Sequence, residues 1–212
     1  MCPRVTRSYK SAIKKRILAA AFREFSMKGY DKTNLDDVAR SVGIARGTIY
    51  LYFDSKQQLF ETLSEVQLER LRRLLVNLDW TSGDSEQTAR TFFRETRKGL
   101  PENSERMAIE LLAESTRNKA LKRQRLLESR KIQQIISEVM QNQFRGKGVV
   151  LDKDLRKVAL GALALYNGLA MLRALGYDEG EVEDSFARTI ELIMEGMAEK
   201  SLSLPEAALA SG

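Results

Sequence analysis

The chain predicts an all-α protein of about nine helices, and three observations carry that prediction. Apolar residues recur at three- and four-residue steps through most of its length, the spacing of helix faces and not of strands. Only three prolines interrupt 212 residues, so long helices are permitted. No stretch alternates apolar and polar residues as a half-buried strand does, and no internal repeat or low-complexity block stands out.

The first expected helix covers residues 11–28, where Ile13, Ile17, Leu18, Ala21, Phe22 and Phe25 share a face and Gly29 suits a left-handed C-cap. Asn34 can cap the second, LDDVARSV, whose Asp36 and Asp37 complement the helix dipole and which stops at Gly43. A third short helix is expected at about 45–53. Ser55-Lys56-Gln57-Gln58 fits an S-x-x-Q capping box and starts a long fourth helix. Its stripe is Leu59, Phe60, Leu63, Val66, Leu71, Leu74, Leu75 and Leu78. A break rich in Ser, Thr and Gly at 80–84 precedes helices near 85–99, 102–117 and 119–145, with Pro101 at the start of the second of these. The run GKGVVLDKD reads as a loop, after which Asp152 or Asp154 can cap a helix through Leu175 that Gly176 closes. The last helix, 181–200, carries the stripe Val182, Phe186, Ile190, Ile193 and Met197, and residues 201–212 read as a mobile tail.

Composition narrows the function. Apolar content is 43% and charged content 30%, which describes a globular, soluble chain. There is no histidine, and the sole cysteine is Cys2. An intramolecular disulfide, a His/Cys zinc site and catalysis by a His base or a Cys–His pair are therefore excluded. No metal, cofactor or enzymatic activity is expected. The segment MCPRVTRSYKSAIKKR lacks the apolar core of a signal peptide. The longest apolar stretch, Val158–Leu175, is broken by Tyr166, Asn167 and Arg173, short of the roughly 20 apolar residues of a bilayer span. The expected location is cytoplasmic, with no membrane partner.

The charge is unevenly placed. Residues 1–56 hold twelve Lys/Arg against five Asp/Glu, a net of +7, while the remainder holds 23 against 24. Such asymmetry suggests that the first part meets a polyanion, a solvated basic face being the alternative. Two short helices joined at Gly43 match a helix-turn-helix. Val38, Ala39, Ile44, Ile49 and Phe53 suit its packed face, leaving Arg46, Thr48, Tyr50 and Tyr52 outward. In such a motif the start of the second helix faces base edges in the major groove. Arg46 can grip guanine or phosphate with its planar fork, and Gly47 allows close approach. Thr48 offers a hydroxyl or a methyl group to a base. The tyrosine hydroxyls and Lys56 suit phosphates, and Lys56 sits where free N–H groups of a helix start attract anions. The competing reading packs the rings of Tyr50 and Tyr52 within the small domain.

The run from Ile17 to Leu63 resembles the N-terminal domain of TetR-family transcriptional regulators. The likeness lies in F-x-x-x-G-Y at 25–30, D-V-A-R-S-V-G-I at 37–44, R-G-T-I-Y at 46–50 and F-D-S-K-Q-Q-L-F at 53–60. It implies a three-helix DNA-binding domain at 1–56 with a basic N-terminal arm, and a helical effector-binding and dimerisation domain at 57–200. It places Ala45, Arg46, Gly47, Thr48, Tyr50 and Tyr52 at the groove and Thr33, Asn34 and Lys56 near the backbone. Position 51 is Leu where an aromatic is common, and position 52 is Tyr where His is frequent. Arg4, Arg7, Lys10, Lys14 and Lys15 could add phosphate or minor-groove contacts.

The segment VALGALALYNGLAML is apolar nearly all round, so that helix must be buried on more than one side. Gly161, Ala164, Leu165, Gly168 and Leu172 bring small and large residues onto one face. With Phe186, Ile190, Ile193 and Met197 of the last helix they are expected to form half of a four-helix bundle completed by a second copy. A ligand pocket between helices of the second domain is expected to draw on Trp80, Phe92, Phe93, Met107, Leu111, Met140, Phe144 and Tyr166, with the polar Glu110, Glu114 and Asn167 to orient the ligand. The run RNKALKRQRLLESRK, 117–131, holds seven Lys/Arg and one Glu, and is either a solvated face or an attractor for an anionic effector such as an acyl-CoA. The implied function is a homodimeric repressor released from a near-palindromic duplex DNA operator by a small molecule. The alternative is a DNA-binding regulator that is constitutive or protein-controlled.

Overall fold

A computed structural model describes residues 7–81, 83–101, 104–146, 148 and 155–202, and among them places nine α-helices and no strand. They are α1 (Arg7–Lys32), α2 (Leu35–Val42), α3 (Arg46–Ile49), α4 (Lys56–Asn77), α5 (Ser85–Arg97), α6 (Ser104–Ser115), α7 (Lys119–Gly146), α8 (Leu155–Ala174) and α9 (Glu179–Leu202). Arg4, the proposed caps Asp152 and Asp154, and residues 203–212 lie outside the described residues.

The starts and stops have local causes. The Asn34 Oδ1 accepts the Asp37 backbone N–H at 2.8 Å and starts α2. Gly43 ends α2 in the left-handed region, with φ of 76°. Asp84 begins α5 by accepting the Gln87 N–H at 2.9 Å. The Ser55 hydroxyl accepts the Gln58 N–H at 3.1 Å, and the Gln58 amide oxygen reaches back to the Asp54 N–H at 2.6 Å, a reciprocal cap one residue displaced from the capping box read in the sequence. The first helix does not stop at Lys28. Backbone helicity resumes after Gly29, which takes φ of 80° and ψ of 163°, a conformation open only to glycine, and the last turn continues to Lys32.

The chain divides into two compact units. The first comprises Met1–Glu69 and Gly99–Leu126; the second comprises Arg70–Lys98 and Leu127–Gly212. The first unit buries Ile17, Phe25, Val38, Ile49, Phe53 and Leu59 together with Met107, Leu111 and Leu121 from α6 and α7. This is a non-contiguous core. Its outlying residues come from a segment that sequence proximity assigns to the other domain.

The second unit packs Trp80, Phe92, Phe93, Val139, Met140, Phe144, Phe186, Ile190 and Met194. A row of ion pairs fixes α5 against α9. Arg94 meets Glu183 at 2.7 Å, Arg90 reaches Glu183 and Asp184, and Arg97 pairs with Glu179. The Asp184 and Glu86 carboxylates hold the Arg90 guanidinium above its ordinary pKa. These partners are spaced along both helices, so they fix register more than they add stability.

Candidate nucleic-acid interface

Three short connections position α3. The Gly43 N–H donates to the Arg40 carbonyl at 3.1 Å, and the Ile44 N–H to the Ala39 carbonyl at 3.0 Å, which turns the chain between α2 and α3. Arg16 of α1 donates to the Val42 carbonyl at 2.8 Å and satisfies the end of α2. Ile49 and Phe53 are wholly buried beneath the turn. Gly47 of α3 and Leu51 of the turn that follows it point away from that core into solvent. Leu51 is 82% exposed, more than any other large apolar side chain among the described residues. Arg46, Gly47 and Tyr50 are exposed beside it, Thr48 is half-buried, and Tyr52 packs against the core. Ala45 stands at the N-cap of α3 in extended conformation.

The Arg46 Nε lies 3.0 Å from an Asp36 carboxylate oxygen, with the Arg46 side chain 75% exposed. The fork is thereby steered by α2 while its outer edge stays in solvent. Sequence reasoning missed this pairing and that of Arg16, because both depend on how α1, α2 and α3 cross.

The residues expected near the DNA backbone divide. Asn34 is exposed. Thr33 is buried, and its hydroxyl donates to the Gly29 and Glu24 carbonyls at 2.8 and 3.2 Å, so it closes the end of α1. Lys56 donates to the Tyr30 and Asp31 carbonyls at 2.9 and 3.0 Å and sits 4.5 Å from the Tyr30 ring centroid. Burial lowers its pKa, opposed by the Asp31 carboxylate. An ammonium has three donors, so one is left for a phosphate. Arg7, Lys10, Lys14 and Lys15 line exposed positions of α1.

The expected ligand and dimer residues also redistribute. The second unit encloses a cavity of about 130 Å³ lined by Trp80, Phe92, Met140, Tyr166 and Asn167, as well as Ile136, Val139, Ala162, Phe186, Ile190 and Ile193. Phe93 and Phe144 pack in the surrounding core without lining it. Met107 and Leu111 are buried in the first unit, where Met107 Sδ accepts from the Ser26 hydroxyl at 3.7 Å. Glu114 lies 3.8 Å from Arg117 in the same unit, and Glu110 pairs with Arg106 at 3.0 Å. These side chains therefore do not line the cavity.

Phe186 and Ile190 face inward too, because the α9 stripe Val182, Phe186, Ile190 and Met194 is the one buried within the unit; Met197 is half-buried beside it. What α8 leaves outward is Leu160, Gly161, Ala164 and Met171, with Leu165, Gly168 and Leu172 partly covered. By length and composition alone α8 is apolar enough to cross a membrane; Ala159, Leu163 and Leu169 are buried against its own unit. Arg117, Lys119, Lys122, Arg123, Arg130 and Lys131 of the basic run are exposed.

Comparison with known proteins places this geometry. Residues 17–63 match the family model described as bacterial regulatory proteins, tetR family. The chain is 40% identical over 75 residues to the uncharacterized HTH-type transcriptional regulator YfiR of Bacillus subtilis (strain 168), an overlap of 35% of this chain and 37% of that one. It is 38% identical over 64 residues to the biofilm operon icaADBC HTH-type negative transcriptional regulator IcaR of Staphylococcus aureus (strain Newman), covering 30% of this chain and 34% of the relative. The match thus spans little more than a third of these curated relatives. Whole-chain similarity is seen in solved structures. Salmonella enterica GusR has a TM-score of 0.68 at 22% identity, covering 91% of this chain and 97% of that one. A TetR transcription regulator from Haloarcula marismortui ATCC 43049 has 0.65 at 19%, covering 88% and 98%. A Saccharomonospora viridis protein solved in complex with choline has 0.63 at 22%, covering 87% and 96%. At these identities the solved structures establish the fold, while the matched residues 17–63 contain α2, α3 and the turn that presents Arg46 and Leu51. Residues 17–63 are thus similar to the DNA-binding segment of tetR-family regulators, and the chain as a whole shares the fold of the solved regulators.

Proposed function

We propose that the protein is a homodimeric, sequence-specific DNA-binding repressor of the bacterial cytoplasm whose hold on a near-palindromic operator is set by a small molecule in the second unit. The observation that carries this reading is the division of α3. Ile49 and Phe53 are spent on the core, and the opposite face offers Arg46, Gly47, Thr48, Tyr50 and Leu51 to a partner. A guanidinium fork, a hydroxyl and an apolar tip suit guanine, a phosphate or base edge, and a thymine methyl. The basic positions of α1 and the remaining donor of Lys56 suit phosphates.

Dimerisation is supported by α8, whose Leu160, Gly161, Ala164 and Met171 would otherwise stand in water. The Leu192 side chain of α9, also exposed, suits the same four-helix junction. Two α3 helices about 34–36 Å apart then read half-sites one turn apart. The cavity supports effector control over a constitutive regulator. A ligand that binds the conformer with misplaced α3 helices lowers operator occupancy by its differential affinity, and α4 supplies continuous chain from one unit to the other. The relatives named as regulators, one as a negative regulator, agree with repression.

The test is fluorescence anisotropy with duplexes flanking the protein's own gene, at increasing salt. A preferred palindrome and a loss of affinity of about 10³–10⁵ between 50 and 200 mM salt are expected for six to ten phosphate contacts. A monomer in dilute buffer that ignores every duplex overturns the reading.

A further inference from the structure

We infer that the second unit's cavity is built for a small uncharged aromatic molecule of one or two rings, and not for an ionised effector. The inference rests on the effector-responsive reading above and names the chemistry of that same cavity.

Size comes first. The space is about 130 Å³, close to a cavity of about 150 Å³ lined by Leu, Ile and Phe that stays dry and takes up benzene. A space of this size holds a ring or two and not the whole of a long acyl chain.

Polarity follows from the lining. Among the described residues, no Asp, Glu, Lys or Arg contributes to it. The polar groups that do reach it have internal work. The Trp80 Nε1–H donates to the Leu75 carbonyl at 3.0 Å, and the Tyr166 hydroxyl donates to Thr96 Oγ1 at 3.0 Å. An ionised carboxylate or phosphate placed here loses its water and gains no counter-charge, which the apolar contacts do not repay.

A quaternary ammonium needs a different check, since four aromatic rings surround the space. Their rings are packed against one another, and no carboxylate stands among the described lining residues to balance a cation. Trp80 meets Phe92 edge-on at 5.5 Å, Phe92 stacks with Phe186 at 6.1 Å, and Tyr166 meets Phe186 edge-on at 5.9 Å. A cation box presents ring faces to its ligand. This lining adds methyl groups from Ile136, Val139, Ala162, Ile190 and Ile193, which accept a flat neutral ring. Asn167 stands at the margin as an exposed amide. A single hydroxyl on the ligand is thus tolerated.

The chain supplies its own reporter, because Trp80 is its only tryptophan and lines the cavity. The full-length, DNA-free protein is titrated at 295 nm excitation with benzyl alcohol, p-cresol, benzoate, benzyltrimethylammonium, choline and palmitoyl-CoA. Saturable, one-per-chain changes in Trp80 emission are expected for the two neutral rings, with the four ionised probes at least ~100-fold weaker. Ala162→Leu, which fills the space, is expected to cut benzyl alcohol affinity at least ~10-fold while circular dichroism keeps its helical signal. Should that variant fail to fold, Met140→Ala enlarges the space and is expected to improve binding of a methylated ring over the parent. Equal or tighter binding of any ionised probe, or no saturable response to either neutral ring, overturns the inference. Because DNA is absent throughout, these results stand apart from operator binding. Neutral rings that bind but leave operator affinity unchanged remove the effector role and keep the cavity's chemistry.

Discussion

The core of the first unit is closed, and that of the second holds a cavity. In the first, Ala20, Ala21 and Ala39 let helices approach until no side chain of the core is wasted, and the rings of Phe25, Tyr30 and Phe60 lie 5.1–5.6 Å apart. Thr33, Asn34, Arg16 and Lys56 each finish a helix end. In the second, an equally aromatic core leaves about 130 Å³ empty, and α8 turns apolar side chains outward. A domain that must hold a recognition surface rigid spends its residues on closure. On the proposed function, a domain that admits a ligand and meets a second copy leaves both tasks undone in the isolated chain.

The largest expected effect lies in the closed unit. Phe25→Ala removes a fully buried ring that touches two others, and should cost about 3–5 kcal/mol of unfolding free energy by urea titration, with DNA binding lost in parallel. A cost below about 1 kcal/mol would mean that this core is not packed as described. A pair of insertions sharpens the contrast. Ala21→Leu overfills a position with no exposure and should destabilise by about 1–3 kcal/mol. Ala162→Leu enters the cavity and should be neutral or stabilise by about 0.5–2 kcal/mol. Equal losses at the two sites would erase the difference between the units.

Gly29 tests whether closure is strained backbone or tight side chains. Its φ of 80° disfavours any side chain, and a Cβ there would also meet the Glu110 carboxylate. Gly29→Ala should cost about 1–3 kcal/mol. The carboxylate is the free end of a flexible side chain and can swing away, so combining the change with Glu110→Ala should recover little of the loss. Recovery of most of it would place the constraint in the α1–α6 contact instead.

Much of this was legible in the chain. The Asn34 cap, the Gly43 turn and the Ile49/Phe53 face follow from spacing, because each is settled within a few residues. What was not legible depends on long-range packing. Met107 and Leu111 have the apolar, helical look of pocket residues, yet α6 carries them into the first unit's core. Phe186 and Ile190 form a stripe that suits a partner subunit, but α5 claims it. Thr33 and Lys56 are polar residues beside a recognition motif, and their hydrogen bonds go to carbonyls at the end of α1, a need that periodicity cannot reveal. At α3 the motif marked Arg46; its Asp36 partner and the full exposure of Leu51 required the crossing of α2 and α3.

The smallest expected change in stability belongs to Arg46, and that smallness is the point. Its ion pair with Asp36 is open to solvent, and exposed pairs contribute about 0–1 kcal/mol. Arg46→Ala should therefore shift unfolding by no more than about 0.5 kcal/mol. The same change should weaken operator binding by about 1–3 kcal/mol if the fork reads a base, and relax preference at one position of each half-site. Arg46→Lys keeps the charge but not the planar fork, so it should restore binding to nonspecific duplex more than to the operator. Chemical denaturation and anisotropy on the same preparations decide it. A residue of the closed core would lose stability and binding together, whereas a residue held outward for a partner loses only the second. If Arg46→Ala melts early and binds normally, α3 is scaffold, and the division of labour between its two faces is wrong.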